Sequence, residues 1–154
     1  MSIFEAKVGM RETRSRIIDD VLVLGTVMME HSSDKTKAIA ATNDFCGILS
    51  QNVTANGPAF EIQNAGIPVN EVKVGSAVAL FGGEGEIVTS VVALGAEPGA
   101  LDAAVVGSSI GIFQGKFRKA QTGDLIFGKL REKNYNGITN LFRLEIFRTA
   151  VEAS

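Results

Sequence analysis

Few side chains in this sequence are suited to covalent or metal chemistry, and they stand far apart. The single histidine, His31, lies in the polar string Glu30-His31-Ser32-Ser33-Asp34, and the single cysteine, Cys46, lies in the run Asp44-Phe45-Cys46-Gly47-Ile48. A thiolate nucleophile needs a basic partner to activate it, and nothing in the spacing brings His31 to Cys46. A zinc site wants two to four His or Cys ligands, and one of each falls short. The Asp-x-Asp-x-Asp spacing of calcium loops is absent as well. Cys46 therefore reads as a small buried hydrophobe and His31 as a solvated loop residue. The expectation is no catalytic residue, no metal and no cofactor, hence no enzyme.

Two glycine clusters invite a test for phosphate binding. Phe81-Gly82-Gly83-Glu84-Gly85-Glu86 lacks the Gly-Lys-Ser/Thr ending of a phosphate loop, and its two glutamates would repel phosphate. Gly107-Ser108-Ser109-Ile110-Gly111 lacks dinucleotide-binding spacing and precedes a strand rather than a helix. Both read as turns, and Glu84 with Glu86 as a solvated acidic pair. Lys116-Phe117-Arg118-Lys119 interleaves an aromatic with bases, as stacking platforms do. Against that stand a pI of about 5.4, the absence of Trp and a single Tyr. No nucleic-acid partner is expected.

The elements that would carry these residues are short strands. Seventeen glycines against three prolines in 154 residues point to many tight turns, within a length that suits one domain. Val21 to Met29, Lys37 to Thr42, Cys46 to Leu49, Ala59 to Ile62, Ala77 to Phe81 and Ile87 to Leu94 all read as strands, and Ile67-Pro68-Val69 as an edge at most. Gly82 to Gly85 reads as a turn and Gly95 to Ala104 as a loop. A C-terminal meander follows: Ile110 to Phe117, Asp124 to Arg131, and Thr139 to Arg148 after the turn Asn134-Tyr135-Asn136-Gly137. In the last strand Phe142, Leu144 and Ile146 share one face, and Arg143 and Glu145 the other. The expected class is all-β, a compact barrel or sandwich-like domain over residues 21–150.

Residues 1–20 form a different segment, an N-terminal arm of scattered apolar side chains among charges. Residues 11–20 suit either a short helix or an extended arm that orders on a partner. Ile3 and Phe4 could fill a groove or extend a neighbouring strand. Arg11, Arg14 and Arg16 could make two-pronged contacts with carboxylates or backbone oxygens. These five are the candidate partner-binding residues, and the segment is expected to matter for binding more than for core stability.

Charge supports association. Charged residues make up 21% of the chain, below the usual quarter. Residues 1–37 are balanced, 38–115 carry net −6 and 116–154 carry net +4. Such a split can orient a protein against a partner or another copy of itself, and a trimer is the expected form. No apolar run reaches the roughly 18 residues of a membrane span, and the N-terminus lacks the layout of a secretion signal. Synthesis in a cytoplasm and no membrane partner are expected.

One region looks familiar as a whole. Val23-Leu24-Gly25-Thr26-Val27 precedes Ala38-Ile39-Ala40-Ala41-Thr42-Asn43-Asp44, then Cys46-Gly47-Ile48-Leu49, then Ala59-Phe60-Glu61-Ile62 through Gly66-Ile67-Pro68-Val69, and Lys73-Val74-Gly75-Ser76-Ala77-Val78. Over about residues 21–80 this resembles the head-decoration proteins of lambda-like phages and the related capsid cement proteins. The C-terminal meander is longer than in the small lambda-type members. The resemblance implies a compact β-rich, β-tulip-like domain that clamps neighbouring copies of a major capsid protein, often as a trimer. It also implies an arm touching the shell and a place on the capsid surface of a virion assembled in the host cytoplasm. Another virion component, a tail or head-completion protein, would share these features. A small β-barrel ligand-binding module would need an aromatic-lined pocket.

Overall fold

The computed structural model describes residues 2–57 and 71–152, with side chains described as far as Phe147. The expected strands Ala59 to Ile62 and Ile67 to Val69 lie outside the described residues. Strand accounts for 45% and helix for 5% of the structure, so helix stays far below the third usual in globular domains.

The first strands are β1 (Phe4–Ala6), β2 (Arg11–Glu12), β3 (Arg16–Ile17), β4 (Val27–Glu30), β5 (Ala38–Ala40), β6 (Gly47–Leu49), β7 (Asn52–Thr54) and β8 (Glu71–Lys73). Then come β9 (Ala77–Val78), β10 (Leu80–Gly82), β11 (Gly85–Thr89), β12 (Ser109–Phe113), β13 (Lys116–Lys119), β14 (Leu125–Glu132) and β15 (Phe142–Glu152). They form a six-stranded sheet in the order β1-β11-β15-β14-β12-β13 and a five-stranded sheet in the order β2-β10-β6-β4-β5. The pairs β3-β9, antiparallel, and β7-β8, parallel, complete the body. Neither large sheet closes on itself, so the sandwich-like form of the expected fold is the one adopted.

The five-stranded sheet lies in the middle. Val27 and Ile48, paired across β4 and β6, join Ile87, Ile110, Phe117, Phe142 and Leu144 of the six-stranded sheet in one core. Met28, Leu49 and Leu80 point the other way, into a second core with Ile18, Val53 and Val78. A strand buried on both faces has no solvent side to supply polar alternation, which is why Gly47-Ile48-Leu49 reads as a continuous apolar run. The last strand of the C-terminal meander alternates as its pattern predicts. Phe142, Leu144 and Ile146 are buried, while outward-facing Arg143 is held by Glu86 at 2.9 Å and Glu132 at 3.2 Å, and Arg131 reaches Glu145 at 2.5 Å.

Three features differ from expectation. The run Val21 to Met29 is strand only from Val27, because the chain before it is turned by its own polar groups. Thr26 Oγ1 donates to Val23 O at 2.7 Å, Leu24 N–H donates to Asn52 Oδ1 at 2.8 Å, and Val21 and Val23 are left exposed. The stretch Ile110 to Phe117 is not one strand but a hairpin turning at Gln114-Gly115, with φ of 50° and 77°. Its tip enters the middle sheet: Gly115 N–H donates to Ala41 O at 2.7 Å, and Val27 N–H donates to Gly115 O at 2.8 Å. A side chain at Gly115 would need the strained positive φ and would press on Thr26 Cγ2 at 3.0 Å.

The third difference concerns residues 2–20. The helix expected as one option for 11–20 does not form. The segment is extended and laid along the body, β1 against β11, β2 against β10 and β3 against β9. Ile18, just past β3, is fully buried in the second core, and Phe4 packs on the larger one. The segment is expected to hold few core positions, and Ile18 is one of them.

Candidate functional site

The five candidate residues follow one another along the N-terminal segment: Ile3, Phe4 and Arg11 lie on or beside the strip formed by β1 and β2, each an edge of a large sheet, and Arg14 and Arg16 lie before and on β3. A turn at residues 7–10 carries the chain from one sheet to the other, with Met10 N–H donating to Lys7 O at 3.3 Å. Among the described residues, neither β1 nor β2 has a strand on its outer side. Free edges of this kind are templates for another chain.

The five divide by exposure. Ile3 is 39% exposed while its N–H is fixed on Ser90 Oγ at 2.8 Å. Val8, at the turn, is the most open large apolar side chain among the described residues, at 85%. Arg11 is exposed and borders a cleft of about 230 Å³ with Thr13, Phe45, Cys46, Gly83 and Phe147. Arg14 is exposed and uses one nitrogen on Lys35 O at 3.1 Å, leaving most of its fork for a partner. Phe4 turns inward, its ring 5.7 Å from that of Phe81. Arg16 is drawn in as well, to Glu30 at 3.2 Å, with its side chain only 14% exposed. The pairing of Arg16 with Glu30 crosses sheets and leaves no trace in sequence spacing. Val8 and the cleft beside Arg11 carried no sequence signal either, since both depend on where the turn lands.

The residues weighed for chemistry are held apart. Cys46 is partly buried, and desolvation pushes its thiol up to about 11, so a thiolate is disfavoured at neutral pH. His31 caps the turn between β4 and β5, its Nδ1 accepting from Ser33 N–H at 3.2 Å and Asp34 N–H at 3.1 Å. Arg118 grips Asp124 with two hydrogen bonds of 2.8 and 2.9 Å and stacks over Phe113 at 4.3 Å. That occupies the most distinctive group of the Lys116–Lys119 strand within the fold. Burial alone would raise the Asp124 carboxyl, but the bonds from Arg118 and from Gln121 N–H outweigh it and hold it below the usual range. Among the described residues no group of three or more His, Cys, Asp or Glu is placed to hold a metal ion, and no helix is long and apolar enough to cross a membrane.

The site and fold together define an all-β body with an open, mixed apolar and basic edge. No family model matches the chain, and no curated protein or solved structure matches it.

Proposed function

We propose that this protein is a non-enzymatic virion subunit that binds the outer surface of a phage capsid and stabilises the shell. The docking face in this reading is the strip along β1 and β2. The observation that carries it is the pair of sheet edges that, among the described residues, have no outer strand, flanked by exposed Ile3, Val8, Arg11 and Arg14. An extended capsid segment can add to such an edge through backbone hydrogen bonds, while the arginines take carboxylates or carbonyl oxygens beside it. The resemblance of residues 21–80 to capsid decoration and cement proteins supplies the kind of partner, a major capsid protein. No chemistry is required of such a subunit, because binding to the assembled state alone stabilises it by mass action. The charge split between residues 38–115 and 116–154 supports self-association, with a trimer as the form on the shell.

Co-sedimentation with undecorated shells tests the reading. The intact chain should saturate the shells and raise their disruption temperature. The double variant Arg11→Glu, Arg14→Glu should bind more than tenfold more weakly, the loss that about 1.4 kcal/mol represents. Shells that neither take up the intact protein nor gain heat resistance would overturn the proposal. Light scattering of free and shell-released protein decides the trimer.

A further inference from the structure

The turn between β4 and β5 is closed by a side chain as well as by backbone. His31 Nδ1 faces the N–H groups of Ser33 and Asp34 at 3.2 and 3.1 Å, with Ser33 Oγ at 3.4 Å. Two N–H donors aimed at one ring nitrogen require a lone pair there, so the clasp holds only while Nδ1 carries no proton. Histidine is the side chain whose charge ordinarily changes between about pH 5 and 8. A proton on Nδ1 would set N–H against two N–H groups and remove both bonds.

The same turn holds the N-terminal segment. Ile17 N–H donates to Thr36 O at 2.8 Å, Arg14 Nη2 donates to Lys35 O at 3.1 Å, and Lys37 Nζ meets Asp19 Oδ2 at 2.8 Å. A change in the turn therefore reaches residues 14–19 through three separate contacts.

We propose that His31 is a proton-sensitive clasp, whose protonation rearranges the 31–37 turn and loosens its hold on residues 14–19. The charged groups around it define the alternative state. Asp34 lies on the same turn, its carboxylate kept below the usual range by the Thr36 hydroxyl and N–H, so it stays anionic while the ring titrates. A protonated ring gains that carboxylate as a partner, which makes the acid state a different turn rather than a melted one. Lys37 stands beyond Asp34, and Glu30 is held by Lys35 at 2.7 Å and by Arg16. From the N-terminal segment Arg14, Arg16 and Asp19 complete the set. None of the cations contacts the ring, so the outcome turns on Nδ1 and Asp34.

Proton–nitrogen NMR of the full chain from pH 8 to pH 5 tests the clasp. At pH 8 the ring nitrogens should report a proton on Nε2 and none on Nδ1. The amide signals of Ser33, Asp34 and Ile17 should then shift together along the ring's own titration curve. His31→Asn keeps an oxygen acceptor for the turn amides and cannot titrate, so its three amides should stay still over the same range. A proton on Nδ1 at pH 8, amides that do not move while the ring titrates, or equal shifts in His31→Asn would each overturn the proposal.

Discussion

The C-terminal meander and the N-terminal segment are both extended, but they are held in opposite ways. Strands β12 to β14 pair only within the meander, while β15 pairs with β14 on one side and with β11 on the other; together they bury one face and tie the other with the Arg143 and Arg131 ion pairs. Strands β1 to β3 have two or three residues each, and every one pairs with a strand sixty or more residues away. Each meander strand therefore has at least one partner close by in the chain, whereas each N-terminal strand pairs only with a distant strand that is already part of the body. Short edge strands with few buried contacts belong to the low-stability end of a fold. An edge of this kind also meets the needs of a docking surface, which has to be accessible.

The sharpest way to break the comparison is to remove residues 2–20. This should cost more stability than any single substitution within them, since it unburies the second core at Ile18 and bares edges of β9, β10 and β11. Urea unfolding measures it, and a midpoint equal to that of the intact chain would make the segment a mere appendage. Phe142→Ala, in the meander, should cost about 3–5 kcal/mol, the range for emptying a large buried aromatic. All probes should lose that amount together. Ile18→Ala should fall within the roughly 2–5 kcal/mol of a buried aliphatic truncation. Its effect should show first in the hydrogen exchange of β3 and β9, leaving β14 and β15 protected.

The smallest effect expected is acid-dependent and confined to the meander. The Asp124 carboxyl is depressed in the folded state, so its contribution is complete above the ordinary Asp value of about 3.9. It is lost as the pH falls below that value through the folded one. Thermal melts between pH 5 and pH 2 should fall less steeply for Asp124→Asn than for the intact chain.

The same contrast explains what could be read from the residues alone. The alternation Phe142-Arg143-Leu144-Glu145-Ile146 and the turns at Gly82 to Gly85 and Asn134 to Gly137 are local, and they stand where the pattern places them. The Gln114-Gly115 turn was missed because Gln is not a usual left-handed residue, so the strand reads on through it. Leu101 is fully buried within the stretch expected to be loop, where an isolated apolar residue has no periodicity to betray it. Among the five candidates, residue types showed that Ile3, Arg11 and Arg14 could meet a partner. They did not show that Phe4 and Arg16 turn inward, since both destinations are set by chain sixty or more residues distant or by a cross-sheet carboxylate.

The Gln114-Gly115 tip joins the two large sheets. Its amide and carbonyl fill places between Val27 and Ala41 that no strand of the middle sheet supplies. The β12–β13 hairpin is closed by its own turn, whereas this end of β4 and β5 is closed by the hairpin. The tip is thus a shared part: a turn that belongs to the six-stranded sheet finishes one end of the five-stranded one, so neither large sheet is complete without the other.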